Sequence, residues 1–408
     1  MTPVETRVDR GQVQLLMAAS ATSSFDRFVT GPALLTIAGA FSVGLARAAS
    51  VASLYYLLYG LGQPLWGLCS DRIGRVRTMR VAFAIAAAAG VVGALSMSLT
   101  ALVVARAVGG AAMGAVVPSC LVYVGDALPF DRRQGTLTDL NAATAAGITL
   151  ATALGGVLAA TVSWRAAFAV PTAGAAVLCV LLRRLPEPAR SDVRQGGLGT
   201  ALRARWGRRV LLLALVEGAA LLGLLTYLSP ALQSSGRSAT QAGLVVALYG
   251  VGLLLASRVV KRRVGRTRPA AFIALGTVAL VVAYLLVALD QGPVSIGTAA
   301  ALVGIGWAAM HSTMQAWATE AVPAARAAMV SLFAGALFLG SGLATALLAP
   351  LAGAGRWGAM FGGAALLAAA FGATAAVSRG RFHGAGSGPG GRPGRSSRGG
   401  PPSTGTAR

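Results

Sequence analysis

Five ionisable residues interrupt the long apolar stretches of this sequence: Asp26, Arg27, Arg106, Glu217 and His311. A charged group inside a lipid bilayer costs roughly 2.5–3.5 kcal/mol on insertion scales, so such groups usually face a protein interior or a wet cavity and mark a pathway. Asp26 and Arg106 carry opposite charges and can form an ion pair, which protonation of Asp26 would break. We therefore expect Asp26, Arg106 and Glu217 to couple the movement of a solute to protons.

An alternative stays open for these charges, because Asp26 and Arg106 can instead form a fixed structural ion pair. Glu217 differs from Asp26 in that the sequence identifies no basic partner beside it. We expect Glu217 to carry a proton in its own right, because an unpaired carboxyl group at this depth is tolerated where it is functional.

A second group of candidate residues lies near residue 310, where helical spacing puts Trp307, His311 and Met314 at positions i, i+4 and i+7 with Gln315 alongside. One helical face then combines aromatic, polarisable and hydrogen-bonding surface. We expect these four residues and Arg27 to contact a bound solute. The alternative is that the aromatic stripe is core packing and His311 a buried, hydrogen-bonded residue.

Apolar segments that are long enough to cross a bilayer must position these residues. The sequence is 55% hydrophobic and only 12% charged, whereas soluble domains are about 25% charged. A membrane-crossing helix needs roughly 20 mostly apolar residues. Such runs begin near residues 14, 50, 79, 101, 136, 166, 210, 240, 269, 293, 327 and 357. They are continuous rather than alternating, which predicts an all-α integral membrane protein with 12 transmembrane helices and not a β-barrel.

The net charge of +23 is explained by membrane topology. If the first helix runs from inside to outside, 29 of the 35 Lys and Arg residues lie in segments on one side and two lie within helices. The other four are Arg47, Arg165, Arg237 and Arg356. This bias places the basic side, with both termini, in the cytoplasm. It accounts for the positive charge without a nucleic-acid partner.

Internal repeats divide the chain into two halves. Four segments recur in order at offsets of 190 to 194 residues, namely 58–62 at 248–252, 72–77 at 263–268, 126–132 at 320–326 and 150–154 at 343–347. Each half has an even number of helices, so the two six-helix repeats are parallel. The predicted divisions are a cytoplasmic N-terminus (1–13), a first six-helix bundle (14–182), a linker (183–209), a second bundle (210–378) and a disordered cytoplasmic tail (379–408).

The segment 67–77, which we call the signature loop, resembles that of the major facilitator superfamily, and so do segments 106–110, 164–168 and 185–188. The resemblance covers residues 14–378. It implies two six-helix bundles around a central cavity lined by helices 1, 4, 7 and 10. Exporters of this superfamily usually carry a Gly-Pro pair in the fifth helix, where this sequence has Ala151 and Thr152.

The resemblance also implies a charge network that locks one conformation at the cytoplasmic ends of helices 2 to 4. Its predicted members are Gly67, Asp71, Arg72, Gly74, Arg75, Arg77 and Asp126. The second copy of the loop has Lys261, Arg262 and Arg263 where an acidic residue should lie, so only the first half should form the lock. The alternative is that these arginines only enforce membrane topology.

These features predict a secondary transporter of the bacterial cytoplasmic membrane that works by alternating access as a monomer. We expect proton-coupled efflux of a small amphipathic compound, by proton antiport and in the manner of multidrug exporters. The alternatives are a proton-coupled importer of a small metabolite and a non-transporting membrane sensor or scaffold. We expect no cofactor, no metal and no enzymatic activity, because the sequence has neither a nucleotide-binding loop nor a nucleophile paired with a base.

Overall fold

The structure is a computed structural model that describes residues 9–188 and 197–382. The regular elements of this part of the chain are helices, which confirms the all-α prediction. We number the membrane crossings as spans 1 to 12. Spans 1 to 6 are Arg10–Phe28 continued by Thr30–Ala40, Ser50–Ile73, Arg75–Ala94, Leu99–Met113 continued by Val116–Ala127, Phe130–Thr161, and Trp164–Leu181.

The second half repeats this order of crossings within the described part of the chain. Span 7 joins Arg205–Gly218, a π-helical turn at Ala219–Gly223, and Leu224–Ser234; span 8 joins Ala239–Val246 and Leu248–Arg263; span 9 is Pro269–Leu289. Span 10 joins Pro293–Gly306, a π-helical turn at Trp307–His311, and Ser312–Ala321; spans 11 and 12 are Arg326–Gly353 and Trp357–Gly380. Short helices at Leu45–Ala48 and Leu198–Arg203 and 3₁₀ turns at Leu182–Arg184 and Pro323–Ala325 lie between spans.

Spans 1 and 2 differ from the other ten crossings of the described chain, which are long and apolar enough to cross a membrane on length and composition alone. Span 1 is interrupted at Val29. Pro32 has no N–H to donate to the carbonyl of Phe28, and its ring crowds that carbonyl. Span 2 has 24 residues, but its tyrosines and Gln63 lower its hydropathy. The predicted twelve transmembrane helices are therefore present, and the two polar ones belong to the first half.

The bundle has two ends, which we name by a residue at each. The Asp71 end holds the connections at residues 74, 128–129, 182–188 with 197–204, 264–268 and 322–325. The Ser235 end holds the connections at residues 41–49, 95–98, 162–163, 235–238, 290–292 and 354–356. Hydrogen bonds join neighbouring connections at the Ser235 end, as between Arg165 Nη2 and the Ser96 carbonyl at 2.9 Å.

The repeated Leu-Tyr-Gly motif of spans 2 and 8 forms the contact between the two halves. A Cβ atom on Gly60 would lie 2.7 Å from the carbonyl oxygen of Gly335 in span 11, and a Cβ atom on Gly250 would overlap the hydroxyl of Thr149 in span 5. A Cβ atom on Gly243 of span 8 would overlap the carbonyl oxygen of Thr152 in span 5. Spans 2 and 11 and spans 5 and 8 are therefore in close contact, as small residues permit between membrane helices. The internal repeat corresponds to a pair of equivalent crossings between the halves.

The halves also close on each other at the Ser235 end. The Gln233 amide of span 7 donates to the Pro32 carbonyl of span 1 at 3.2 Å. A small cavity behind this contact, lined by spans 1, 2, 5, 7 and 8, has a volume of about 10 Å³, enough for about one water molecule. Spans 1 and 7 are therefore in contact at this end in the conformation described here.

Several element boundaries differ from those predicted. Span 1 begins at Arg10, four residues early, because Asp9 and Gln12 form a capping box in which Asp9 Oδ1 accepts from the Gln12 amide at 2.7 Å. The predicted linker contains helix Leu198–Arg203 and the start of span 7, while residues 189–196 lie outside the described chain.

The predicted tail also begins too early. Span 12 continues to Gly380, Arg379 forms an ion pair with Glu320 at 2.6 Å, and the Phe382 ring lies 5.3 Å from that of Trp206. Residues 379–382 therefore contact the second bundle. The aromatic ring of Phe382 provides apolar surface that this contact buries. Residues 383–408 lie outside the described chain.

Candidate functional site

The structure brings Asp26 of span 1 and Arg106 of span 4 together in the interior of the first half. Arg106 Nη1 lies 2.5 Å from Asp26 Oδ1, and Arg106 Nη2 donates to the Asp26 backbone carbonyl at 2.6 Å. Only 7% of Asp26 and 5% of Arg106 is exposed. The Tyr55 hydroxyl donates to the second carboxylate oxygen, Oδ2, at 2.8 Å. Both oxygens of Asp26 therefore have a partner.

Aromatic rings surround this ion pair. The guanidinium carbon of Arg106 lies 4.3 Å from the ring centre of Tyr55 and 4.8 Å from that of Phe168 in span 6. These distances fit cation–π contacts. Little water reaches the pair, so the attraction between the two charges is weakly screened. Protonation of Asp26 would remove its charge and leave Arg106 with aromatic faces, the Asp26 carbonyl and the hydroxyl of Thr30 at 3.4 Å.

Glu217 of span 7 has a basic neighbour, so the expectation that it lacks one is wrong. Its Oε1 atom lies 3.2 Å from Nδ1 of His311 in span 10. Glu217 is fully buried and 8% of His311 is exposed. The other oxygen, Oε2, is buried without a hydrogen-bond partner among the described residues. A carboxyl and an imidazole group in contact can share one proton between two acceptor sites.

His311 lies between two aromatic side chains. Its ring centre is 4.0 Å from that of Trp307 and 5.7 Å from that of Phe333 in span 11. Of the other residues predicted on this face, Met314 is fully buried in the core and Gln315 is half-buried one residue further on. The structure therefore groups Trp307 and His311 with Glu217.

Irregular helix geometry coincides with the charged residues. The interruption at Val29 follows Asp26 and Arg27 directly. The π-helical turn Ala219–Gly223 follows Glu217, and the second π-helical turn, Trp307–His311, contains His311 itself. A π-helical turn leaves carbonyl groups without their usual partners and is frequent at functional sites. Spans 1, 7 and 10 thus depart from regular α-helix at the level of their ionisable side chains.

The signature loop forms the expected ion-pair cluster at the Asp71 end. Arg75 Nη1 contacts Asp71 Oδ1 at 2.6 Å and the Ser70 hydroxyl at 2.9 Å, while Arg75 Nε contacts Asp126 Oδ2 at 3.2 Å. Arg75 therefore joins the ends of spans 2, 3 and 4. Of the other predicted members, Gly67 faces Ser331 of span 11, and Arg72 and Arg77 are exposed.

A further member of this cluster is Glu187, which sequence analysis did not assign. Its carboxylate accepts from the backbone amides of Val76 at 3.1 Å and Arg77 at 3.2 Å. It therefore caps the start of span 3, where free amide groups and the helix dipole favour a negative charge. Gly74 makes this approach possible, because it has φ +104° and a Cβ atom there would lie 2.5 Å from the Glu187 carboxyl carbon.

The second half lacks an equivalent cluster within its described residues. Glu320, the repeat counterpart of Asp126, pairs with Arg379 of span 12 at 2.6 Å. Arg266, the counterpart of Arg75, forms no ion pair with a described residue. The described part of the chain also holds no group of three or more potential metal ligands.

Sequence analysis also missed the aromatic residues that support the charges. Tyr55 and Tyr59 of span 2 contact Asp26 and Arg27 respectively, and Phe338 of span 11 lies over Arg27. The spacing of Tyr55 and Tyr59, four residues apart, does predict that they share one helical face. Their partners lie on other helices, which spacing within span 2 does not identify.

Comparison with known proteins places this geometry in context. A sequence model of the family described as Major Facilitator Superfamily matches residues 16–345. A triacylglyceride transporter of Mycolicibacterium hassiacum is 32% identical over 188 residues, which is 44% of this chain and 32% of that protein. The efflux pump dotC of Dothistroma septosporum is 29% identical over 153 residues, which is 38% of this chain and 26% of that protein. The matched segments thus span about a third of these relatives' length or less.

Solved structures agree on the fold. A crystal structure of a D-xylose-proton symporter superposes with a TM-score of 0.72 at 16% identity, and the superposition covers 91% of this chain and 97% of that one. At this identity the likeness concerns the fold alone. The family and these relatives are transporters, which agrees with the prediction that the chain is not an enzyme.

The ion pair between Asp26 and Arg106 can be tested by a double-mutant cycle on the thermal unfolding midpoint of the purified protein. Arg106→Gln leaves a buried carboxylate without its cation and should lower the free energy of unfolding by about 3–5 kcal/mol. Asp26→Asn should lower it less, because Arg106 keeps its contacts with the rings of Tyr55 and Phe168. The double variant should lose clearly less than the sum, because neither charge remains unpaired.

Arg165→Gln is the matched control for this cycle. Arg165 also lies over an aromatic ring, at 4.3 Å from Trp164, but at the Ser235 end and with no carboxylate partner in the described part of the chain. Arg165→Gln should lower the unfolding midpoint only slightly. Combined with Asp26→Asn, its effect should simply add to that of Asp26→Asn. Strictly additive effects of Asp26→Asn and Arg106→Gln would contradict the pairing.

Proposed function

Because the chain belongs to the major facilitator superfamily, we propose that this multi-pass membrane transporter exports a small amphipathic compound in exchange for protons. The observation that carries the proposal is a buried carboxylate in each half, one in span 1 and one in span 7. Asp26 contacts Arg106, and Glu217 contacts His311. Ionisable residues at such depth mark ion pathways and proton relays in membrane proteins.

Each carboxylate has a neighbour whose interactions would change when the carboxylate is protonated. Protonation of Asp26 would release Arg106 from its ion pair, and Glu217 and His311 would hold a proton between them. The Asp26 site borders the contact between the halves, since Tyr55, which contacts Asp26, stacks on Tyr59, and Tyr59 contacts Phe338 of span 11 with ring centres 4.4 Å apart. A change of protonation at Asp26 can therefore alter the relative stability of two arrangements of the halves.

The amphipathic character of the substrate is proposed from the lining and from the named relatives. Trp307, Phe333 and Phe338 place aromatic surface beside the buried charges. One relative is named for triacylglyceride and another is named an efflux pump, which favours an apolar cargo and outward movement. We place the protein in the bacterial cytoplasmic membrane as a monomer, with both termini and the Asp71 end in the cytoplasm.

Transport in membrane vesicles tests this function directly. The probes are N-phenyl-1-naphthylamine, 8-anilino-1-naphthalenesulfonate and tetraphenylphosphonium, which are uncharged, anionic and cationic amphiphiles. Inverted vesicles with an acidic lumen should accumulate at least one probe, whereas right-side-out vesicles should not. Coupling free energies of about 1–3 kcal/mol correspond to about 5–150-fold effects, so Asp26→Asn and Glu217→Gln should each lower gradient-driven accumulation at least about tenfold and leave gradient-independent exchange intact.

Asp290→Asn is the control for this experiment, because Asp290 is an exposed acid in a connection at the Ser235 end. It should behave like the wild type. Loss of folded protein in Asp26→Asn, with recovery of coupled transport in Asp26→Asn/Arg106→Gln, would assign Asp26 a structural role and contradict proton coupling there. Absence of gradient-driven movement of any probe in both vesicle orientations would favour a sensor or scaffold.

The signature-loop cluster serves, in this proposal, as a lock on the conformation described here. Arg75 ties the ends of spans 2 and 4 through Asp71 and Asp126, and these contacts would have to separate when the Asp71 end rearranges. Glu187 strengthens the cluster because it fixes the start of span 3.

Removing this lock should slow transport without removing the protein from the membrane. Arg75→Gln eliminates both ion pairs, and Asp71→Asn eliminates one of them. We expect initial rates in the vesicle assay to fall by about 5-fold or more for Arg75→Gln, with unchanged membrane abundance. Arg266→Gln is the matched control from the second half and should have little effect. Equal rates for Arg75→Gln and Arg266→Gln would reduce the loop to a determinant of topology.

A further inference from the structure

Arg27 is a buried cation with no carboxylate partner among the residues that the structure describes. It lies in the middle of span 1, and 7% of the residue is exposed. Its guanidinium donates to the Tyr59 hydroxyl at 2.8 Å and to the Ser24 hydroxyl at 3.3 Å. The ion pairs of the described residues do not include Arg27. Its positive charge is therefore balanced by no acid in contact with it.

The nearby acids are already engaged. Asp26, the neighbour of Arg27 in sequence, uses one carboxylate oxygen for Arg106 and the other for Tyr55. Glu217, the other buried acid of the described interior, contacts His311. Arg106 and Arg27 thus differ, because Arg106 has a counter-ion in Asp26 whereas Arg27 has none among the described residues.

One hydrogen-bond donor of Arg27 is also left unused. Its Nε atom is buried and has no hydrogen-bond partner among the described residues. Nε and a terminal nitrogen form one edge of the guanidinium fork, which matches a planar or tetrahedral oxyanion. A buried donor without a partner is costly unless another group satisfies it.

Aromatic rings from both halves surround this guanidinium group. Its central carbon lies 5.1 Å from the ring centre of Phe28, 5.0 Å from that of Tyr59 and 4.8 Å from that of Phe338. Phe28 and Tyr59 belong to the first half and Phe338 belongs to span 11 of the second. The environment of Arg27 is therefore completed only when spans 1, 2 and 11 are in contact, so it changes as the halves move.

We propose that Arg27 and these rings bind the negatively charged group of the transported compound, which makes the substrate an amphipathic anion. The anionic group accepts from the guanidinium edge that includes Nε, and the apolar body packs against Phe28 and Phe338. This inference rests on the proposed transport function and specifies the substrate class for the same interior site. Ser24 and Tyr59 hold the guanidinium in place while the site is empty.

A pair of fluorescent probes that differ by one charged group tests this proposal. 8-Anilino-1-naphthalenesulfonate is an amphipathic anion, and N-phenyl-1-naphthylamine has the same ring system without the sulfonate. Their equilibrium affinities are measured on the purified full chain in lipid nanodiscs, through energy transfer from tryptophan. A hydrogen bond to a charged group is worth about tenfold or more in affinity, so the wild type should bind the sulfonate at least about tenfold more tightly than the uncharged probe.

The variants separate recognition of charge from packing. Arg27→Gln should weaken sulfonate binding about tenfold or more and leave the uncharged probe within about twofold of the wild type. Arg27→Lys keeps the charge and should retain part of the preference. Arg165→Gln, an arginine over an aromatic ring at the Ser235 end, should leave both affinities unchanged.

Three outcomes would overturn the anion site. The first is a wild type that does not bind the sulfonate more tightly than the uncharged probe, and the second is an Arg27→Gln variant that keeps the wild-type preference for the sulfonate. The third is an Arg27→Gln variant that loses affinity for both probes equally while Arg27→Lys loses affinity for neither. The binding measurement needs no gradient, so its failure differs from failure of the transport proposal. Vesicles that do not move either probe, combined with an Arg27-dependent preference, would refute export and leave the anion site standing.

Discussion

The energetic cost of placing charge inside a lipid bilayer governs the interior of this protein. Asp26 and Arg106 can lie in the first half only because each satisfies the other and because Tyr55 completes the coordination of the carboxylate. The polar residues that provide this support make spans 1 and 2 the least apolar crossings of the described chain. Those two helices depend on the packing of their neighbours, since most of their polar side chains are buried within the bundle.

The two halves share a scaffold but not a distribution of charge. The repeated Leu-Tyr-Gly motif places Gly60 against span 11 and Gly250 against span 5, so each copy of the motif contacts the opposite half. The buried ionisable residues do not follow the symmetry of the repeat. Those described in the first half are an acid and two arginines, whereas those in the second half are an acid and a histidine. The proposed exchange of protons for an anion would need sites of different chemistry, and the two halves differ in their buried charges in this way.

The sequence predicts the scaffold better than the site. Twelve crossings, two parallel repeats, and the contacts of Asp26 with Arg106 and of Arg75 with Asp126 follow from hydropathy, repeats and the family resemblance. The contact of Glu217 with His311 does not follow, because those residues are 94 positions apart on different helices and the repeat leaves their register open. Glu187 was missed for a similar reason, since its partners are backbone amides, which no side-chain pattern reveals.

The central claim is that the buried acids carry protons against the movement of a solute. Lumenal pH in acid-loaded inverted vesicles, followed with an entrapped indicator, tests it most directly. Addition of a compound that the wild type accumulates should raise the lumenal pH as protons leave, and Asp26→Asn/Glu217→Gln should abolish this rise while gradient-independent exchange of the compound persists. A rise that survives in the double variant, or accumulation by the wild type without any change in lumenal pH, would contradict the claim.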